Sequence, residues 1–217
     1  MSDSFPDGLQ RVTTADLVDA LGRIHHHRCH LLDLVTPTPG RRLFGPAVTI
    51  SYFPTCSAAL NPDEFNFGAL FNAAVGNDPG GKVLVLAGNG HPDTSLAGGT
   101  KLSRAHNMGL AGVLADGRIR DFDELAGYDF ATYCRGEATK WGGDVVTPFQ
   151  PNVPVVIEGV GIHPGDYIHA DGSGAVAIPA SEVDSVIEGA LAVVEEDAGY
   201  IEKIKYERPG HSPRDRR

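Results

Sequence analysis

The amino-acid sequence predicts a single α/β domain of packed layers of helices and strands. Three observations lead there. Helical and extended apolar patterns alternate through the first half of the chain, and short strand patterns dominate the second. The 217 residues are 41% hydrophobic, enough for a substantial core. No internal repeat or linker divides them, and 27 glycines and 15 prolines supply the turns that many short elements need. The domain is expected over residues 13–207, with a loose lead-in at 1–12 and a disordered tail at 208–217.

Charge and composition exclude several classes. The net charge is −10, and the only dense basic group is Arg214, Arg216 and Arg217 in the tail. A nucleic-acid partner is not expected. No apolar run approaches the ~18 residues of a membrane span, and no signal-peptide core is present. The expectation is a cytoplasmic chain with no membrane partner. Cys29, Cys56 and Cys134 are odd in number and lack zinc spacing, which argues against a disulfide scaffold.

The elements follow in order. Thr13 with Asp16 reads as a capped helix start, and Leu17, Val18, Leu21 and Ile24 give its apolar face. His25, His26 and His27 cannot share one ion, because adjacent helical side chains diverge. His26 and His30 would share a face only if the helix continues. Residues 44–50 lead into a β-branched strand. A helix is expected over 62–74, with Pro62 in its first turn. Residues 82–87 form a continuous apolar strand. The loop 88–96 carries His91 and Asp93, either of which reaches a ligand if the loop folds over a cleft.

Residues 97–124 are the centre of the chain. Gly98 and Gly99 open a helix whose first backbone N–H groups are free to bind an anion. Leu102, Ala105 and Met108 follow at helical spacing, and Gly109 is placed to end it. Residues 110–115 read as a strand buried on both faces. At its exit Arg120 and Asp121 stand side by side. A guanidinium holds a carboxylate by two parallel bonds, and an aspartate holds a hard divalent cation. Together they suggest a site for a metal-chelating carboxylic acid, although adjacent Arg and Asp also make ordinary surface ion pairs. Asp116, near the strand end, either caps the next turn or joins the site.

The second half reads as strands at 130–134, 145–147 and 153–157, then a hairpin over 167–178 turning at 171–174. Ser181 is expected to cap the last helix, with Val183, Val186, Ile187, Ala190, Leu191 and Val194 on its apolar face. Its acidic cluster, Glu195, Glu196 and Asp197, is either a solvated face or a group serving a neighbouring subunit. The glycine fingerprint of dinucleotide folds is incomplete after residues 88–90, and no P-loop or G-x-S-x-G elbow occurs.

Four segments in order carry a resemblance: TTADLVDALG at 13–22, FGPAVTI at 44–50, GLAGVLADGRIRDFDEL at 109–125, and IHPGDYIHADGSGAVAIP at 162–179. The chain resembles the class II pyruvate aldolases typified by 4-hydroxy-4-methyl-2-oxoglutarate aldolase, a family that also contains the regulator of ribonuclease E activity A. The resemblance implies a swivelling β/β/α domain, and homotrimers or hexamers with sites between subunits. It implies metal-dependent cleavage of a 2-oxo acid to release pyruvate, with oxaloacetate decarboxylation as a second activity. By that resemblance Arg120 holds the substrate carboxylate and Asp121 binds Mg²⁺ or Mn²⁺. Backbone donors near Gly98, Gly99, Thr100, Lys101 and Leu102 complete the clamp. An acidic residue on a neighbouring subunit's last helix, Asp197 and then Glu196, completes the metal's water shell.

One position departs from the pattern. The family motif places an acidic residue twenty residues ahead of the Arg-Asp pair, and here that position is Gly99. Three outcomes are open: a weaker aldolase, a site rebuilt by Asp93, His91 or Asp116, or another reaction on the same scaffold. No general base is evident beyond a metal-polarised water or His91. The rival class is a non-catalytic regulatory protein that works by covering a partner's surface.

Overall fold

The computed structural model describes residues 8–208. Of the expected lead-in at 1–12 and tail at 208–217, residues 1–7 and 209–217 lie outside the described residues. Helix α1, Thr14–Ile24, begins at a complete capping box: Thr13 accepts from the Asp16 amide, and Asp16 accepts from the Thr13 amide. Just before it, Leu9 and Val12 are fully buried in the core that α1 shares with the last helix.

The main sheet is built on β2, Leu43–Pro54. On one side of β2 run β3 (Val83–Ala87), β5 (Gly112–Ala115) and β7 (Ala131–Tyr133), all parallel. Every residue of β3 and β5 is buried, as their continuous apolar runs require. On the other side lie β11 (Tyr167–Asp171), β12 (Gly174–Ile178) and the short β1 (His30–Leu31), all antiparallel to their neighbours. A further strand, β8 (Val146–Pro151), pairs with the far end of β2.

Helices α2 (Phe67–Val75) and α3 (Gly99–Asn107) cover one face of the parallel half, where Phe71, Leu102 and Ala105 meet Ile50, Leu84 and Val113. The other face is covered by the hairpin of β9 (Val155–Ile157) and β10 (Val160–Ile162). Helix α5, Val183–Ile204, packs with α1 over β12. This is the layered α/β arrangement of sheets and helices that the sequence predicts.

Several local expectations are corrected. Helix α1 ends at Ile24, and His30 lies in β1, so His26 and His30 share no helical face. The helix expected over 62–74 starts only at Phe67: Asn66 accepts the Ala69 amide and donates back to the Pro62 and Asp63 carbonyls. That closed cap fixes the start five residues later than Pro62 suggested. Ser181 does not cap α5; Glu182 holds that position, without a side-chain cap. Strand β10 went unread because its turn, Glu158 and Gly159, uses positive φ at both residues, one of them a glutamate. All three cysteines are free.

Candidate functional site

The site is assembled by the strand–helix crossing that the Gly98-Gly99 pair allows. Strand β4 (Ser95–Ala97) runs parallel to β6 (Arg118–Ile119), and the Arg120 amide donates to the Ala97 carbonyl. This pairing brings the residues that follow each strand together. After β4 the chain enters α3; after β6 it reaches Arg120, Asp121 and the short helix α4, Phe122–Ala126.

Asp121 adopts a left-handed backbone conformation, φ 66° and ψ 50°. That region costs a non-glycine residue about 1–3 kcal/mol. Asp121 stands at the cap position of α4 without capping it. Its Oδ2 instead accepts the Gly99 amide at 3.0 Å. One donor of the expected anion site is therefore occupied by the chain's own carboxylate. The amides of Thr100 and Lys101, also in the first turn, have no intrahelical acceptor by helix geometry. Arg120 Nε lies 3.9 Å from Asp121 Oδ1, and both side chains are a little over one-third exposed. Arg120 has no closer partner among the described residues, so its guanidinium fork remains open to a ligand.

A second acidic group enters here that spacing did not reveal. Glu124 of α4 turns back over Gly99, and a Cβ placed on Gly99 would collide with its carboxylate. The Tyr128 hydroxyl donates to Glu124 Oε1 at 2.5 Å, with the Gly99 carbonyl 3.1 Å from the same hydroxyl. The bond to Glu124 holds the Tyr128 hydroxyl above the usual phenol range. Asp121 and Glu124 thus both reach Gly99, one through its amide and one over its α-carbon.

The other expected residues are placed elsewhere. Asp93 accepts twice from the Arg118 guanidinium, at 3.2 and 3.1 Å. Asp116 is buried and accepts from Arg135, which also pairs with Glu158. Burial pushes the Asp116 carboxyl up, and the Arg135 bond pulls it part of the way back. Both carboxylates pair with arginines, Asp93 at the exposed surface and Asp116 in the interior. His91 sits in the turn after β3, tied by its backbone to Gly88 and Thr94. Glu196 pairs with Arg23 through both oxygens at 2.8 and 3.2 Å. Glu196 and Asp197 lie on α5, whose core cluster is separate from that of α3.

Lys101 points into a cavity of about 330 Å³ beside α3. Its walls include Tyr52, Leu60, Phe67, Leu96 and Trp141. The Lys101 ammonium lies 5.4 Å from the centre of the Phe67 ring. Burial pushes its pKa down, and the Arg120 and Arg104 charges push the same way. The sequence pattern points to the Lys101 backbone donor and not to its side chain. The cavity draws on β2, α2, α3 and β8, a convergence that no local pattern reports.

Among the described residues no cluster of three or more histidines, cysteines or acids is preassembled for a metal. A hard cation that keeps most of its waters needs only one or two carboxylates, and Asp121 and Glu124 supply that oxygen chemistry.

An open arginine fork, helix-start amides and two carboxylates meet at the start of α3, set in a layered α/β domain. The chain belongs to the RraA-like family: the model described as Aldolase/RraA matches residues 14–177. It is 34% identical over 154 residues to a putative 4-hydroxy-4-methyl-2-oxoglutarate aldolase of Halalkalibacterium halodurans, covering 69% of this chain and 65% of that protein. It is 28% identical over 197 residues to protein DlpA of Legionella pneumophila, covering 88% of this chain. The chain spans 31% of the length of DlpA. Among solved structures, an uncharacterized protein from Pseudomonas syringae matches with a TM-score of 0.77 and 27% identity, covering 98% of this chain and 92% of that one. RraAS2 of Streptomyces coelicolor, described as an unusual member of the RNase ES inhibitor RraA protein family, has the same fold, with a TM-score of 0.77 at 24% identity over 94% of this chain and 98% of that one.

Proposed function

We propose that the chain is a divalent-metal-dependent lyase that cleaves or decarboxylates a 2-oxo acid. The observation that carries this reading is Asp121. It is held in a strained conformation that fixes its carboxylate at the start of α3, beside an arginine with no closer partner. The putative aldolase among its relatives supports the same class.

In this reading Arg120 grips the substrate carboxylate through its planar fork. The Thr100 and Lys101 amides add fixed donors where negative charge gathers. Asp121 and Glu124 would hold Mg²⁺ or Mn²⁺, and Tyr128 orients the Glu124 carboxylate. When bound there, the cation would supply Lewis-acid chemistry. Arg120 and the α3 dipole then stabilise the enolate charge left when the carbon–carbon bond breaks. An acid from α5 of another copy, Asp197 or Glu196, completes the site in a trimer or hexamer.

Incubation with oxaloacetate tests the reading. Pyruvate release that requires Mg²⁺ or Mn²⁺ and is lost in Asp121→Asn is expected. A folded protein with no metal-dependent release, which instead captures a protein partner, contradicts it in favour of a regulatory role.

A further inference from the structure

We propose that the cavity beside α3 receives the group that a 4-hydroxy-2-oxo acid carries beyond its scissile bond, the part that leaves as an aldehyde or ketone, and that this group is apolar and about the size of one ring. The proposal rests on the reading of Arg120 as the carboxylate clamp and names the substrate class of that same site.

The polar groups around the cavity carry the argument. Tyr52 is buried and donates its hydroxyl to the Leu96 carbonyl at 2.7 Å, so it presents only its ring. Thr55 bonds to the Gly143 carbonyl at 2.9 Å and to the Thr147 hydroxyl at 3.0 Å. Asn66 spends its amide on the cap of α2. Ser95 donates to the Ala97 carbonyl. On the wall away from α3 the side-chain groups of Thr55, Thr147, Asn66 and Ser95 are bonded within the chain, which leaves the Ser57 hydroxyl as the single free hydroxyl there among the described residues. A second carboxylate placed there would meet no cation and only neutral donors, too little to offset its lost water.

The charged end lies at α3. Lys101 meets the Phe67 ring, and the nearest charges acting on it are the cations Arg120 and Arg104. A half-buried lysine among arginines is compensated by an anion, and in the proposal the carboxylate held by Arg120 takes that role. Trp141 closes the opposite side. Its indole lies against Gly143, where a Cβ would clash with the ring, so the glycine seats the tryptophan. A cavity of about 330 Å³ lies at the small end of the range for ligand sites, roughly 300–1,000 Å³. It suits one ring or a branched aliphatic chain.

The test is calorimetric titration with pyruvate, 4-methyl-2-oxopentanoate, phenylpyruvate and oxaloacetate, each run with Mg²⁺ and with EDTA. Affinity is expected to rise along the first three, with phenylpyruvate bound at least about tenfold more tightly than oxaloacetate. Thr147→Phe, which fills the cavity, should weaken phenylpyruvate at least about tenfold and leave pyruvate nearly unchanged. Lys101→Gln should weaken all four. Oxaloacetate bound as tightly as phenylpyruvate, or no ligand bound, overturns the proposal. So does phenylpyruvate affinity that a folded Thr147→Phe protein retains. The ligand order in the wild-type protein decides the matter even if Thr147→Phe does not fold. The Mg²⁺ dependence of binding reports on the lyase reading separately from that order.

Discussion

The Glu124 carboxylate fills the space that a side chain at Gly99 would occupy. The two positions compete for one volume at the start of α3. The acid that the family motif carries at position 99 is absent, and an acid from α4 stands over the same α-carbon. None of the three outcomes left open by the sequence included this arrangement.

A metal-binding consequence follows directly. Glu124→Gln should weaken Mn²⁺ binding about 10–100-fold, the usual effect of losing a carboxylate that orients a metal's surroundings. Gly99→Asp alone should displace Glu124 and change affinity little. Gly99→Asp combined with Glu124→Gln should recover most of the loss. Titration of Mn²⁺ followed by its spin-resonance signal measures all four proteins; equal affinity in Glu124→Gln and wild type would remove Glu124 from the site.

Asp121 gives a stability prediction independent of any ligand. Asp121→Ala and Asp121→Gly both lose the bond to the Gly99 amide. Only alanine keeps a Cβ in the left-handed region, which costs about 1 kcal/mol relative to glycine. The glycine variant should therefore unfold at higher urea than the alanine variant. Equal midpoints would mean that the backbone relaxes out of φ 66° once the carboxylate is gone.

The part of this site that local spacing can encode was legible in the chain. Gly98 and Gly99 open α3, Gly109 ends it at φ +70°, and Arg120 and Asp121 stand at the strand exit. Glu124 was not legible, because its direction depends on the left-handed turn at Asp121, a conformation that the residue type alone does not announce. The commitment of Asp116 to Arg135 depends on a partner 19 residues away. Pro62 misled for a local reason: proline suits a first helical turn, yet the Asn66 cap downstream sets the start of α2. The alternation of long apolar patterns fixed the layers more readily than the two-residue strands β1 and β6, which are too short to show a period.

His169 predicts an acid-sensitive fold. It is fully buried on β11, with Nδ1 3.0 Å from the Thr14 hydroxyl and Nε2 unpartnered. Burial pushes its pKa down from 6.5 to about 4. Between those values the unfolded chain binds a proton that the folded chain refuses, so stability falls as pH drops through that window. The contribution of His169 to the loss is about 3 kcal/mol. Urea unfolding across the window should show a shallower pH slope for His169→Gln than for wild type; parallel slopes would contradict the assignment.

Assembly is open to a simple measurement. If Asp197 or Glu196 serves the metal, it must come from another copy, because α5 packs with α1 in a core separate from that of α3. Light scattering should give a trimer or hexamer at micromolar concentration. A monomer that still binds Mn²⁺ with wild-type affinity would leave Asp121 and Glu124 as a complete site.

The most direct measurement is pyruvate release from oxaloacetate by wild type and Arg120→Lys, with Mg²⁺ and with EDTA. Lysine keeps the charge at position 120 but loses the planar fork. The account predicts Mg²⁺-dependent turnover in wild type and at least about a tenfold fall in Arg120→Lys, a loss of about 1.4 kcal/mol or more in transition-state binding. Equal turnover by the two folded proteins, or turnover that EDTA leaves untouched, would contradict it.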